Sequence, residues 1–355
     1  MKKISFFLVF ISLYVFPQDG EININGYVKS AETGETLIGA NVVIKDLNVG
    51  CTTNNYGFFS FKLNPGLYNL ETSYIGYETK YLKIDKSTTS LVINLSPTSY
   101  VTNEVVVKAK KEDVNIQTAD MGKIELEIEQ VDQLPVLMGE KDILKTIQLL
   151  PGVQSGTEGS SGFYVRGGGP DQNLILLDEA VVYNASHLFG FFSVFNSDAI
   201  NNIDLIKGSM PANYGGRLAS VLDINMKDGN NKKFEMNGGI GLISSKITVE
   251  GPLKKDTSSF IISGRRTYFD IFAKPFVDTT NFSGSSYHFF DLTTKMNYQL
   301  SPRNKIFLSG YFGRDVFNFN SKDWGFNMNM PWGNSTASLR WNHLFNSNLF
   351  MNTSL

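Results

Sequence analysis

Gly162-Phe-Tyr-Val-Arg166-Gly-Gly-Gly169, Asn173-Leu-Ile-Leu-Leu-Asp178-Glu-Ala-Val-Val-Tyr183, Ile203-Asp-Leu-Ile-Lys207-Gly-Ser-Met-Pro-Ala-Asn-Tyr214-Gly-Gly-Arg217 and Val221-Leu-Asp-Ile-Asn-Met-Lys227 follow one another within residues 162–229. Short apolar strands alternate here with glycine-rich turns. Gly167, Gly168, Gly215 and Gly216 stand where a turn needs positive φ or where two strands approach closely. Upstream, Glu140 to Leu150 reads as a helix with Ile143, Leu144, Ile147 and Leu150 on one face, stopped by Pro151-Gly152.

Catalytic patterns do not occur in this stretch. Arg166-Gly-Gly-Gly169 lacks the Lys-Ser/Thr ending of a phosphate loop, and Gly156-Thr-Glu-Gly159-Ser-Ser-Gly162 does not fit a nucleophile elbow. His187, His288 and His343 have no metal-ligand spacing and read as aromatic-belt or surface residues. No enzyme activity and no cofactor is expected. The order of the four elements resembles the plug domain of TonB-dependent outer-membrane receptors. In that family an Arg-Gly element, a Leu-Asp-Gly-type strand and a Lys-Gly…Tyr-Gly element recur. The resemblance implies that Arg166 and Lys207 pair with barrel-wall carboxylates and anchor the plug. Solvated turn charges are the alternative for both.

Outward from the stretch, residues 22–96 carry seven strand candidates: 22–29, 41–45, 49–53, 58–63, 67–74, 77–84 and 90–95. Turn signals such as Glu32-Thr-Gly34 and Asn64-Pro-Gly66 divide them. Seven strands at this spacing predict a β-sandwich. Gly26-Tyr-Val28, Leu37-Ile-Gly-Ala-Asn-Val42 and Thr53-Asn-Asn-Tyr-Gly57 are similar to the carboxypeptidase-regulatory-like domain, which often precedes the plug in Bacteroidetes-type receptors. Residues 97–121 form a polar linker with one β-branched patch, Glu104, Val105, Val106 and Val107. A short Val-rich segment at this place is the TonB box of such receptors. An extended segment in a tether can add itself to a partner's sheet edge. An eighth sandwich strand is the alternative. Lys2 and Lys3 precede the apolar run 4–16, so residues 1–18 read as a signal peptide.

Beyond the plug region, placed at 122–230, the pattern becomes long alternating strands over 231–355. In Tyr287–Leu300 the even positions from His288 to Leu300 are mostly apolar, while Asp291, Thr293, Lys295, Asn297 and Gln299 form the other face. Ala337, Leu339, Trp341, His343 and Phe345 repeat the pattern against Thr336, Ser338, Arg340 and Asn342. That dyad is the signature of a transmembrane barrel strand. Six strands are expected at 232–241, 244–252, 259–269, 287–300, 305–319 and 335–345, with a seventh from 349. Segments 270–286 and 321–334 read as long outer loops. Transporters of this type use about 22 strands, so the expected fold is mainly β: a sandwich, a small α+β plug and the first strands of a longer antiparallel barrel.

Near-balanced charge, 32 basic against 34 acidic residues, argues against nucleic acid as a partner. Aromatics at 13% suit lipid-facing girdles. A single cysteine, Cys51, excludes an internal disulfide and reads as a small buried hydrophobe. What the resemblance implies is TonB-energised uptake of a scarce nutrient (glycan, iron chelate, cobalamin or peptide) across the outer membrane. The implied partners are TonB with its inner-membrane complex, the cargo and a surface lipoprotein. A receptor that binds or signals without net transport, or an usher or adhesin barrel, is the alternative. Trp324, Phe326 and Trp332 could stack on glycans or join an aromatic girdle.

Overall fold

A computed structural model describes residues 22–85, 90–98, 122–128, 131, 140–156, 161–278, 280–346 and 349–355. The signal-peptide reading and the Glu104 to Val107 patch lie outside these residues.

The N-terminal sandwich forms because alternate residues of its strands are apolar. Ile22–Ser30 lies at the centre of one sheet, antiparallel to Phe58–Leu63 and parallel to Ser90–Leu95. The second sheet runs Val49–Thr52, Asn41–Ile44, Tyr68–Ser73, Lys80–Ile84. Ile24, Val28, Phe59, Phe61, Ile93 and Leu95 meet Val42, Ile44, Leu70 and Ile84 between them. All seven strand candidates are present. The sixth starts at Lys80 rather than Tyr77, because Tyr77 N–H closes a turn onto the Tyr74 carbonyl across Gly76, whose φ is 77°.

The plug is a five-stranded sheet in the order Ala180–Val181, Asn173–Leu177, Ser220–Met226, Ile200–Lys207, Lys123–Glu127. Only the Asn173–Leu177 and Ser220–Met226 pair is parallel. One face carries Leu126, Ile203, Leu205, Leu222 and Ile224, and the helix Ile143–Gln148 packs its Ile143, Leu144 and Ile147 in the same core. That helix is shorter than expected because Asp142 caps it, its side chain accepting from Lys145 N–H at 3.2 Å.

Seven strands form one antiparallel sheet in chain order: Glu235–Ile240, Ser244–Lys254, Ser258–Thr267, Ser286–Ser301, Asn304–Ser321, Phe326–Asn346 and Leu349–Ser354. The faces segregate as the alternation requires. Asp291, Thr293, Lys295 and Asn297 are buried toward the plug, while Leu292, Met296, Tyr298 and Leu300 stay exposed on the far side. Two loop expectations are corrected. The segment 270–286 contains the helix Phe269–Val277. The segment 321–334 is mostly strand, with the turn confined to residues 322–325. Alternation in Phe326-Asn-Met-Asn-Met-Pro-Trp332 carries the ladder through, and Pro331 sits opposite Val316.

Candidate functional site

The plug meets the wall through charges set on strained turns. Leu177 pairs with Ala180, so Asp178 and Glu179 are the two central residues of a tight hairpin, with φ of 46° and 71°. That geometry favours Asn-Gly, and each non-glycine residue in it costs about 1–3 kcal/mol unless the surroundings hold it. The wall holds both. The Asp178 carboxylate receives Lys295 Nζ at 3.0 Å, the Ser309 hydroxyl at 2.7 Å and Met226 N–H at 2.8 Å. Glu179 receives Arg340 at 3.4 Å, Asn352 at 2.9 Å and the Ser354 hydroxyl. Lys295 also reaches Asp228 at 3.0 Å, and Lys305 approaches the other oxygen of that carboxylate at 2.8 Å. Burial alone would raise the Asp228 carboxyl, but the two ammonium groups hold it well below the usual carboxylate range.

A second cluster surrounds His187. Its Nε2 lies 2.7 Å from Asp291 Oδ1 and its Nδ1 2.7 Å from Asp315 Oδ2. A carboxylate only accepts hydrogen bonds, so two such partners require a proton on each ring nitrogen. Burial opposes that charge, yet the hydrogen bonds and the charge of Asp291, with Asp315, raise the imidazole above its ordinary value. The ring stacks on Phe289 with centroids 4.0 Å apart. Arg265 Nη2 donates to Asp291 at 2.7 Å and to the Ser193 carbonyl at 2.8 Å, while its Nη1 reaches Glu140 at 3.2 Å. Tyr311 donates to Asp291 at 2.6 Å, and Tyr287 donates to Asp315. Next in the chain, Leu188 and Phe189 have φ of 48° and 53°. Leu188 N–H is held by Tyr287 Oη at 2.8 Å and Asp315 at 3.0 Å.

This lock pushes Phe189 outward, 66% exposed, against Trp332 at 4.9 Å and Phe317 at 5.8 Å between centroids. The wall's alternation inverts at this level. Below it, the inward face carries the polar Ser309, Asp315, Ser338 and Arg340 with the aromatics Phe307 and Tyr311 among them. Above it the same faces carry Phe317, Phe319, Phe326, Met328, Met330 and Trp332, and the outward faces carry Asn318, Asn320, Asn327 and Asn329. Eighteen residues of strand extend roughly 60 Å, far beyond an apolar band about 25 Å tall. The top of the hairpin turns this aromatic surface over the plug. Trp332 and Phe326 belong to that surface, and Trp324 lies in the exposed turn.

Arg166 and Lys207 are brought together, but as like charges. Lys207 Nζ donates to the Pro151 carbonyl, and the Arg166 guanidinium lies beside Gly208. Burial and Arg166 both lower the Lys207 ammonium. Among the described residues neither contacts a wall carboxylate, so along this wall the expected anchoring is carried by Asp178, Glu179, His187, Glu140 and Asp228. Gly167 and Gly216 have the anticipated positive φ, 85° and 84°. Gly168 instead permits close approach, since a Cβ there would stand 2.4 Å from that of Ala219, and Gly215 meets neither condition. His187 is a buried anchor rather than a belt or surface residue; a lone histidine between Ser186 and Leu188 gave no hint of partners more than 100 positions away. His288 stands near Asp270 at 3.8 Å, and His343 bonds Asn304 at 2.7 Å.

Residues 24–107 match the CarboxypepD_reg-like domain, a span that includes Glu104 to Val107, and residues 130–221 match the TonB-dependent Receptor Plug Domain. Residues 130–221 thus carry the plug domain of TonB-dependent receptors. It is 28% identical over 240 residues to the TonB-dependent receptor SusC of Bacteroides thetaiotaomicron, covering 63% of this chain and 22% of that protein. The chain thus spans about a fifth of that relative's length. Solved structures similar to it include the siderophore receptor PirA of Acinetobacter baumannii, at 18% identity and TM-score 0.46, covering 65% of this chain and 38% of that one. The outer membrane transporter YddB of Escherichia coli is 15% identical with TM-score 0.47, covering 66% and 38%. In this chain the plug is the body held by the buried ion pairs, and the wall is the seven-stranded sheet beside it.

Proposed function

We propose that this chain supplies the sandwich, plug and first wall strands of an outer-membrane receptor that imports a scarce nutrient with energy from TonB. The observation that carries the reading is the buried lock at His187, Asp291, Asp315 and Arg265. A plug fastened by dry ion pairs does not leave its pore by thermal motion alone, because breaking one such pair costs about 3–5 kcal/mol. Opening needs work, and a tether gripped at Glu104 to Val107 can deliver it mechanically. Cargo would first meet Phe189, Trp332 and Phe317, whose faces suit sugar rings or aromatic groups better than ions. The test is deletion of Glu104 to Val107 in the full-length receptor. Surface binding of the cognate nutrient should persist while uptake is lost. Normal growth on that nutrient would overturn the reading.

A further inference from the structure

The plug sheet's second face buries a polar strip beside the apolar Leu174, Leu176, Ile206 and Val221. Asn202 lies opposite Asn225 and Asp204 opposite Asp223, with Glu125 beside Asp204 on the next strand. Asn202, Asp204, Asp223 and Asn225 are each at most 4% exposed. Among the described residues, Oδ1 of Asp204, Oδ1 of Asp223, both amide atoms of Asn202 and Nδ2 of Asn225 have no hydrogen-bond partner. Each such group costs about 1–3 kcal/mol while water is kept from it.

The sandwich approaches this face from the side of the short turns. A cavity of about 210 Å³ is lined by Asn55 of the sandwich together with Lys123, Asp204 and Tyr214 of the plug. Gly39 is so close to Glu125 that a Cβ there would stand 2.5 Å from its carboxylate. Tyr56 Oη donates to Glu179 at 2.8 Å, and its ring lies 5.2 Å from that of Phe350 on the wall. Glu35 accepts Asp228 N–H at 2.6 Å, Thr33 accepts Asn231 N–H at 2.9 Å, and Glu32 pairs with Lys233 at 2.9 Å. The contacts are mainly polar, as in interfaces that open rather than in permanent ones.

We infer that the sandwich is a releasable lid on the inner end of the plug, closed by the contacts of Glu32, Thr33, Glu35 and Tyr56 with plug and wall and opened by rehydration of the Asp204–Asp223 face. Its closure is linked to protons. Burial, with Glu125 and Asp223 nearby and only Lys123 opposing, pushes the Asp204 carboxyl up to about 7. Burial, with Glu179 and Asp178 and against Tyr214 and Lys123, pushes Asp223 up to about 6. Glu35, facing Asp228, Lys227 and Glu250, is raised by burial. Groups raised in the closed state bind more protons there. Closure is therefore fully favoured below the ordinary carboxylate value of about 4 and weakens as pH rises through 6 to 7.

The inference concerns docking and stands whether or not cargo is carried. Spin labels at Lys83→Cys and Lys255→Cys, both exposed positions, in full-length receptor with Cys51→Ala, report the sandwich-to-wall distance by pulsed electron resonance. The closed-to-open ratio should fall at least about tenfold between pH 5.5 and 8. Asp204→Asn with Asp223→Asn should keep the lid mostly closed at pH 8 as well, leaving only the weaker pH dependence that Glu35 supplies. Tyr56→Phe, which loses only the bond to Glu179, should shift the population toward open at both. An identical distance distribution at both pH values in the parent and in Tyr56→Phe would overturn the proposal.

Discussion

His187 on the plug gives its Nε2 proton to Asp291 on the wall at 2.7 Å, and the same carboxylate is gripped by Arg265 and Tyr311. A cation from the plug thus completes a site that the wall holds ready. Removing it leaves Asp291 and Asp315 buried without their shared partner.

His187→Gln should accordingly weaken the Ser186–Phe192 loop by about 3–5 kcal/mol, read as a loss of amide hydrogen-exchange protection of two orders of magnitude or more. The parent should also depend on pH. The imidazole is raised in the folded state, so its contribution is complete below its ordinary value of about 6.5 and disappears as pH rises through the raised value. Asp291, Asp315, Arg265, Tyr287 and Tyr311 face the ring throughout. A loop whose protection does not change with pH in the parent would refute a charged His187.

Lys295 serves two plug carboxylates, Asp178 and Asp228, each at 3.0 Å, and donates to the Met226 carbonyl at 2.9 Å. Lys295→Ala should lower the plug's resistance to urea by about 3–5 kcal/mol. Asp178→Asn in the same chain should recover part of that loss, because it removes the stranded charge while keeping an oxygen for Ser309. Strictly additive effects in this double-mutant cycle would show that the pair is not coupled.

How much of this was legible follows from the range of each signal. Period-2 alternation reported the wall's two faces correctly at Asp291, Lys295, Leu339 and Trp341, because a strand's face is a local property. The helix face at Ile143, Leu144 and Ile147 was local too. The strand start Phe326–Trp332 hid behind Pro331 and its asparagines, which imitate loop composition, although its own alternation continues into the rest of the strand. The lock joins His187 to residues 104 and 128 positions away. No spacing rule reaches that far. The available signal was the acids Asp291 and Asp315 on inward positions of membrane strands, where a charge needs a partner. Arg166 drew attention through its glycines, yet its own φ of 50° belongs to the turn it closes.

The last prediction ranks the anchors. Arg166 and Lys207 lie together at the Pro151–Gly152 turn, where Lys207 bonds a carbonyl. A bond to a neutral carbonyl contributes about 0.5–1.5 kcal/mol, against about 3–5 for truncating one partner of a buried pair. In cells expressing full-length receptor, His187→Gln and Lys295→Ala should therefore admit large antibiotics such as vancomycin more readily than Arg166→Ala or Lys207→Ala. All four should assemble into the outer membrane at similar levels, since the strand ladder does not depend on these side chains. If Arg166→Ala sensitises cells as strongly as His187→Gln, the arginine engages a carboxylate as the family resemblance implies, and the plug is held from two sides. Equal insensitivity of all four would mean that the buried ion pairs do not govern plug closure at all.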